Sequence, residues 1–185
     1  MTVTDVNVVK SAIFERPDDA NKGTLGSLLC VCGSYGMAGA AVMSAKGALR
    51  TGIGLAKCAL PRSIYPIVAQ TILESVYYPL SENADGRIAK VNIPFLVSES
   101  CKSSATLVGC GLGVCDDTLK IVFSLIENST TPLVLDADAL NCVAKQPEIL
   151  LRKKAPIIIT PHPGEMSRLT GLATCLLYTS PSPRD

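Results

Sequence analysis

The 185 residues carry 48% hydrophobic side chains, no tryptophan and only 4% aromatics, so the core has to be built from aliphatic and small residues, as in a layered α/β domain. The 17 basic and 16 acidic residues leave a net charge of +1, which excludes the basic face expected of a nucleic-acid or anionic-membrane partner. No apolar run is long enough to cross a bilayer and the N-terminus lacks a secretory signal pattern, so a cytoplasmic protein is expected. The eight cysteines include no C-x-x-C pair, and the single histidine offers no cluster. They read as reduced, small hydrophobes, and no metal site is expected.

Met1 to Asn21 reads as a leader with a short helix before the turn at Arg16-Pro17-Asp18-Asp19. Ser27 to Cys32 is an apolar run without strict alternation, as in a parallel strand covered on both faces. Gly33, Gly36 and Gly39 follow, and Ala38 to Leu49 is a helix of mostly small residues. Such a turn lets backbone approach a ligand closely, and the helix start favours an anionic group. Gly54 to Leu60 is a second strand ended by Pro61, Arg62 to Ala69 a helix, Glu74 to Leu80 a third strand and Ser81 to Gly86 a loop. Across Arg87 to Ser100, Pro94 is expected to interrupt any helix.

Ala105 to Gly109 is a strand running into a second glycine turn, Gly109-Cys110-Gly111-Leu112-Gly113. Asp116 or Asp117 is expected to cap a helix with Leu119, Val122, Phe123 and Ile126 on its apolar face. Pro132 to Leu135 is a strand delivering Asp136, Asp138 and Asn141, and Pro156 to Ile159 another delivering Thr160, His162 and Glu165. Strands alternating with helices imply a mainly parallel sheet, with ligands bound beyond the carboxyl ends of its strands.

His162 sits between two prolines at that edge and is read as a ligand-contacting residue, a structural hydrogen-bonding role being the alternative. Pro163 suits the first position of a Gly164–Leu169 helix. Asp136 is favoured as functional, as a base, a hydroxyl-positioning group or a magnesium ligand; Asp138 is either that or the cap of an Ala139–Ala144 helix. Lys22 before Gly23 is either phosphate-facing or solvated. A nicotinamide-dependent oxidoreductase fits less well. The first turn is G-x-x-G-x-x-G, and the second strand has only Lys57 as a charge where an acidic residue should end it.

Set together, K-G-T-L-G-S-L-L-C-V-C-G-S-Y-G-M-A-G-A-A, V-G-C-G-L-G, P-L-V-L-D-A-D-A-L-N and I-I-I-T-P-H-P-G-E-M resemble the NAD(P)H-hydrate dehydratase family across about Phe14 to Ala173. Leu25 stands where the family usually has an aromatic, and Cys110 where a proline is usual. The resemblance implies a ribokinase-like fold and hydrated NADH or NADPH as substrate. It implies ADP or ATP as co-substrate with Mg2+, a homo-oligomer at full length, and work alongside an NAD(P)H-hydrate epimerase. Carried over by motif, substrate contacts come from Gly39, Ala40 and Ala41, from Gly109, Gly111 and Gly113, and from His162. Lys22, Asp136, Asp138, Asn141 and Glu165 are supporting candidates. A sugar or vitamin kinase of the same fold and a non-catalytic nucleotide-binding module are the alternatives.

Residues 1–174 are read as a partial dehydratase domain with a sheet incomplete at the C-terminus. From Cys175, C-L-L-Y-T-S-P-S-P-R-D resembles translated sequencing-adapter read-through, expected to be disordered and excluded from fold reasoning. The family's later lysine- and glycine-rich nucleotide segment and its G-x-G-D motif, with the catalytic aspartate, have no counterpart in the chain. The chain is therefore expected to be inactive alone and poorly soluble.

Overall fold

In a computed structural model, residues 18–174 are described; the first 17 residues of the leader and the tail from Cys175 lie outside them. Six strands form one sheet: β1 (Ser27–Val31), β2 (Leu55–Pro61), β3 (Val76–Leu80), β4 (Ala105–Val108), β5 (Leu133–Leu135) and β6 (Ile157–Ile159), in the order β3-β2-β1-β4-β5-β6. Every pairing is parallel, with register Val31↔Ala59 and Val31↔Val108 at the centre. The helices are α1 (Ala38–Arg50), α2 (Tyr65–Thr71), α3 (Ile93–Cys101), α4 (Asp116–Asn128), α5 (Asp138–Val143) and α6 (Pro163–Thr170).

The unbroken apolar run of β1 follows from its central place. Leu29 and Val31 point into one core with Val108, Leu133 and residues of α4 and α5. Cys30 and Cys32 point into the other, against Ala41 and Ala45 of α1 and Ile64 and Val68 around α2. A strand buried on both faces has no polar side to alternate with. Truncating a fully buried residue such as Leu29 would cost about 2–5 kcal/mol. Pro79, which has no N–H to give a ladder, sits in edge strand β3.

Two expectations need correction, and one of the two alternatives for Asp138 falls away. Pro94 opens α3 instead of interrupting it, because it lies in the first turn, where its missing N–H has no intrahelical partner to lose. The cap of α4 is Cys115, whose Sγ accepts from Thr118 N–H at 3.4 Å; Asp116 and Asp117 occupy the first turn, where the helix dipole favours them. The cap of α5 is Ala137, at φ 50°, and Asp138 is the first residue of the helix. The apolar face of α4 is also deeper than its pattern suggested. Ile121, Val122, Leu125 and Ile126 are fully buried, while Leu119 and Phe123 pack at the margin.

A buried hydroxyl cluster joins α3, β4 and the end of α4. Ser100 Oγ lies 2.8 Å from Thr106 Oγ1 and 2.7 Å from Ser129 Oγ, and Thr131 Oγ1 donates to Ser100 O at 2.8 Å. On the other side of the sheet, β6 turns Ile158 out with 58% exposure, opposite Val134 of β5.

Candidate active site

Strand order reverses between β1 and β4, the switch point at whose carboxyl edge parallel sheets place their ligands. Both loops are the predicted glycine turns. Gly33 N–H donates to Cys110 O at 2.8 Å, and Ser34 Oγ donates to Gly111 O at 2.8 Å, tying one turn to the other. Gly111 lies against Ala40 and Met37 at the start of α1. No side chain caps α1, and a Cβ at Gly36 or Gly39 would meet nothing within 4 Å. Ala40 N–H is taken up by Met37 O at 3.2 Å, which leaves the Ala38 and Gly39 N–H groups beside an open backbone surface, an arrangement that suits a pyrophosphate. Ala41 differs from its neighbours: its side chain is buried against Gly33 and belongs to the core.

The second turn is held from β5. Gly109, at φ 128°, has no room for a side chain, since a Cβ would collide with the Asp136 carbonyl. Asp136 Oδ2 accepts from Cys110 Sγ at 3.4 Å and Oδ1 from Thr160 Oγ1 at 2.9 Å. Asp138 Oδ2 accepts from Gly113 N–H at 2.7 Å, Oδ1 from Asn141 Nδ2 at 3.3 Å, and Asn141 Oδ1 accepts from Arg168 Nε at 2.9 Å. One oxygen of each aspartate thus fixes the turn, while the others and Asn141 tie it to Thr160 and to Arg168 of α6. The neighbouring Cys32 makes the Cys110 thiol ionise more readily than usual although burial opposes it, whereas the neighbouring Cys110 and burial together make Cys32 ionise less readily.

His162 caps α6 through Nδ1, which accepts from Gly164 N–H at 3.1 Å. Buried Glu165 completes a capping box, with Oε2 accepting from His162 N–H at 2.9 Å and Oε1 lying 3.2 Å from Nε2. With Nδ1 an acceptor, the ring proton sits on Nε2. The imidazole remains 62% exposed beside the edge. Lys22 is not brought to this edge. It lines a concavity with Gly26, Lys57 and Ser104 at the opposite, amino ends of β1 and β2.

Six residues absent from the candidates frame the other half of the edge. A cavity of about 500 Å3 is lined by Tyr35, Ser63, Glu82, Asn83, Asp85 and Gly86 beyond the ends of β1, β2 and β3. A second, of about 410 Å3, lies between Tyr35, Gly36, Gly39, Ile64 and Ile67. The signal was in the sequence, as Tyr35 sits inside the first glycine turn and the 82–86 loop leaves a strand end. Arg87 lies over Gly113, its Nη1 donating to Val114 O at 3.3 Å, and joins this loop to the second turn. Among the described residues no three His, Cys, Asp or Glu side chains converge to hold a metal ion, and no helix is long and apolar enough to cross a membrane.

A family model described as NAD(P)H-hydrate dehydratase matches residues 28–180, most of the chain. The chain belongs to the NAD(P)H-hydrate dehydratase family. It is 38% identical over 156 residues to the bifunctional NAD(P)H-hydrate repair enzyme of Thermofilum pendens, covering 84% of this chain and 30% of that one. It is 33% identical over 159 residues to the ADP-dependent (S)-NAD(P)H-hydrate dehydratase of Neisseria meningitidis, covering 84% and 49%. The ADP/ATP-dependent NAD(P)H-hydrate dehydratase of Bacillus subtilis, co-crystallised with ATP/Mg2+, superposes with a TM-score of 0.73 at 28% identity, covering 94% of this chain and 57% of that one. The chain therefore spans about half the length of the single-function dehydratases it matches and under a third of the bifunctional one. The dehydratase family accounts for the ribokinase-like reading, with all six strands parallel where the sequence led us to expect a mainly parallel sheet.

Proposed function

We propose that the chain supplies the dinucleotide-binding side of a nicotinamide nucleotide repair enzyme, a hydro-lyase that dehydrates hydrated NADH and NADPH at the expense of ADP or ATP. One observation carries the reading: the two glycine turns meet at the switch point of a parallel sheet and leave Gly36, Gly39 and the uncapped start of α1 open. That surface takes the pyrophosphate of the dinucleotide. Gly109, Gly111 and Gly113 form the facing wall, and His162, whose two ring nitrogens are held by Gly164 and Glu165, meets the substrate from the β6 end with the exposed face of its imidazole. The co-substrate's terminal phosphoryl group turns the ring hydroxyl into a leaving group, and elimination restores the dihydropyridine.

Magnesium, crystallised with ATP in the Bacillus subtilis relative, enters with the nucleotide. Among the described residues nothing forms an acidic cage for it, and both candidate aspartates are engaged internally. Relatives named bifunctional support an epimerase working beside the dehydratase. We place the protein in the cytoplasm and expect a homo-oligomer at the full length of its relatives.

The test is incubation of hydrated NADH with ADP or ATP and magnesium, following the return of the near-ultraviolet absorbance of the reduced ring. A protein with the length of the relatives restores it. The 185-residue chain, whose sequence has no G-x-G-D motif, binds hydrate without turnover. A stable phosphorylated product in place of the reduced ring would make this a kinase.

A further inference from the structure

Tyr35 is 73% exposed, yet its backbone is fixed. Its N–H donates to Gly86 O at 2.9 Å, and its Cβ packs so closely on Gly86 that a side chain there would collide with it. The ring thus stands between the two cavities, within reach of the open glycine surface on one side and of Glu82 on the other. Glu82 Oε2 accepts from Ser63 Oγ at 2.6 Å, which orients the carboxylate, and Glu82 makes no ion pair among the described residues. Asp85 is different, being 3.6 Å from Arg87 Nη1 and partly neutralised.

An exposed aromatic on a fixed backbone beside a pyrophosphate surface is a platform for a purine. A carboxylate one cavity further on accepts hydrogen bonds from vicinal ribose hydroxyls and repels a phosphate in their place. The acidic residue missing from the end of β2 is supplied here from the end of β3, which the strand order places on the same side of the switch point.

We propose that Tyr35 stacks the adenine of the dinucleotide and that Glu82 binds its ribose 2′-hydroxyl, so that this site takes hydrated NADH in preference to hydrated NADPH. The inference rests on the dehydratase reading above.

Equilibrium dialysis of the full chain against each hydrate, with bound ligand quantified by chromatography, tests it. The wild type favours hydrated NADH by about tenfold, the scale of one unfavourable charge contact at a partly screened surface, and the ratio shrinks in high salt. Glu82→Gln keeps the Ser63 partner and brings the ratio towards one. Tyr35→Ala weakens both hydrates by about tenfold, and Tyr35→Phe restores them because the ring survives. Circular dichroism of each variant confirms that the fold is kept. Equal wild-type affinities, an unchanged ratio in Glu82→Gln, or full affinity in Tyr35→Ala would overturn the inference while leaving the dehydratase reading intact. Failure to bind either hydrate would overturn both.

Discussion

Gly113 N–H donates to Asp138 Oδ2 at 2.7 Å, so the side chain of the first residue of α5 fixes the glycine turn that leaves β4. The turn itself is buried at Gly113, and removal of its acceptor leaves that N–H unpaired. Asp138→Ala should cost about 1–3 kcal/mol in stability and loosen hydrate binding, whereas Asp138→Asn keeps an acceptor and costs less. Urea denaturation and dialysis of both variants check this; equal effects of the two substitutions would argue against it.

Cys115 is the cap of α4, and its thiol ionises more readily than usual. Burial opposes this, but hydrogen bonds from the Thr118 hydroxyl and amide and from Arg87 outweigh it. Cys115→Ser retains the cap, and Cys115→Ala should lose about 0.5–2 kcal/mol. Thermal melts of the two variants decide the point.

Thiol accessibility should follow the two cores. Iodoacetamide at mildly alkaline pH should modify exposed Cys101 and the partly exposed Cys110 and Cys115 first. Cys30, Cys58 and Cys142 should be spared, since burial raises each of them, Cys142 to about 11. Cys32 joins the spared group, being buried and raised by the neighbouring Cys110 and by burial. Peptide mapping by mass spectrometry reads the order.

Glu99 gives a pH dependence. Burial alone would raise its carboxyl, but hydrogen bonds from Lys102 and Tyr78 and the charges of Lys102 and Lys57 outweigh it and hold it below the ordinary 4.5. A group depressed in the folded state binds fewer protons there than in the unfolded chain. Its contribution is therefore full above 4.5 and is lost as pH falls through the lower folded value. Wild type and Glu99→Gln should differ in Tm at neutral pH and converge in acid; a constant difference would remove Glu99 from the account.

Where the sequence was legible, one physical cause dominated. Ser27 to Cys32 and the glycines after it announced a central strand and turn because burial on both faces and close backbone approach leave few other residue types. Pro94 misled because position within a helix decides whether a proline breaks or starts it, and that position depends on where the preceding 3-10 turn at Lys90–Asn92 ends. Asp136 and Asp138 looked like ligand groups by type and placement. Their hydrogen bonds to Cys110 and Gly113 cross from β5 to the turn after β4, and no local pattern encodes such partners. Tyr35 and Glu82 each left a trace, one inside a glycine turn and one after a strand end, but their pairing shows only where the loops after β1 and β3 meet.

The β5–β6 half of the sheet predicts how the chain behaves in solution. Ile158 is exposed on the same face of the sheet that α1 and α2 cover at β1 and β2, beyond those helices, and such surface invites association. Ile158→Lys should raise the concentration at which light scattering appears, with little change in hydrate affinity.

The central claim is that the surface built by the two joined glycine turns binds the hydrated dinucleotide. Hydrogen–deuterium exchange of the chain with and without hydrated NADH tests it most directly. The account predicts slowed exchange in residues 33–41 and 109–113, with no change around Lys22 at the opposite edge. Protection at Lys22 to Ser27 with none at the two turns would contradict it.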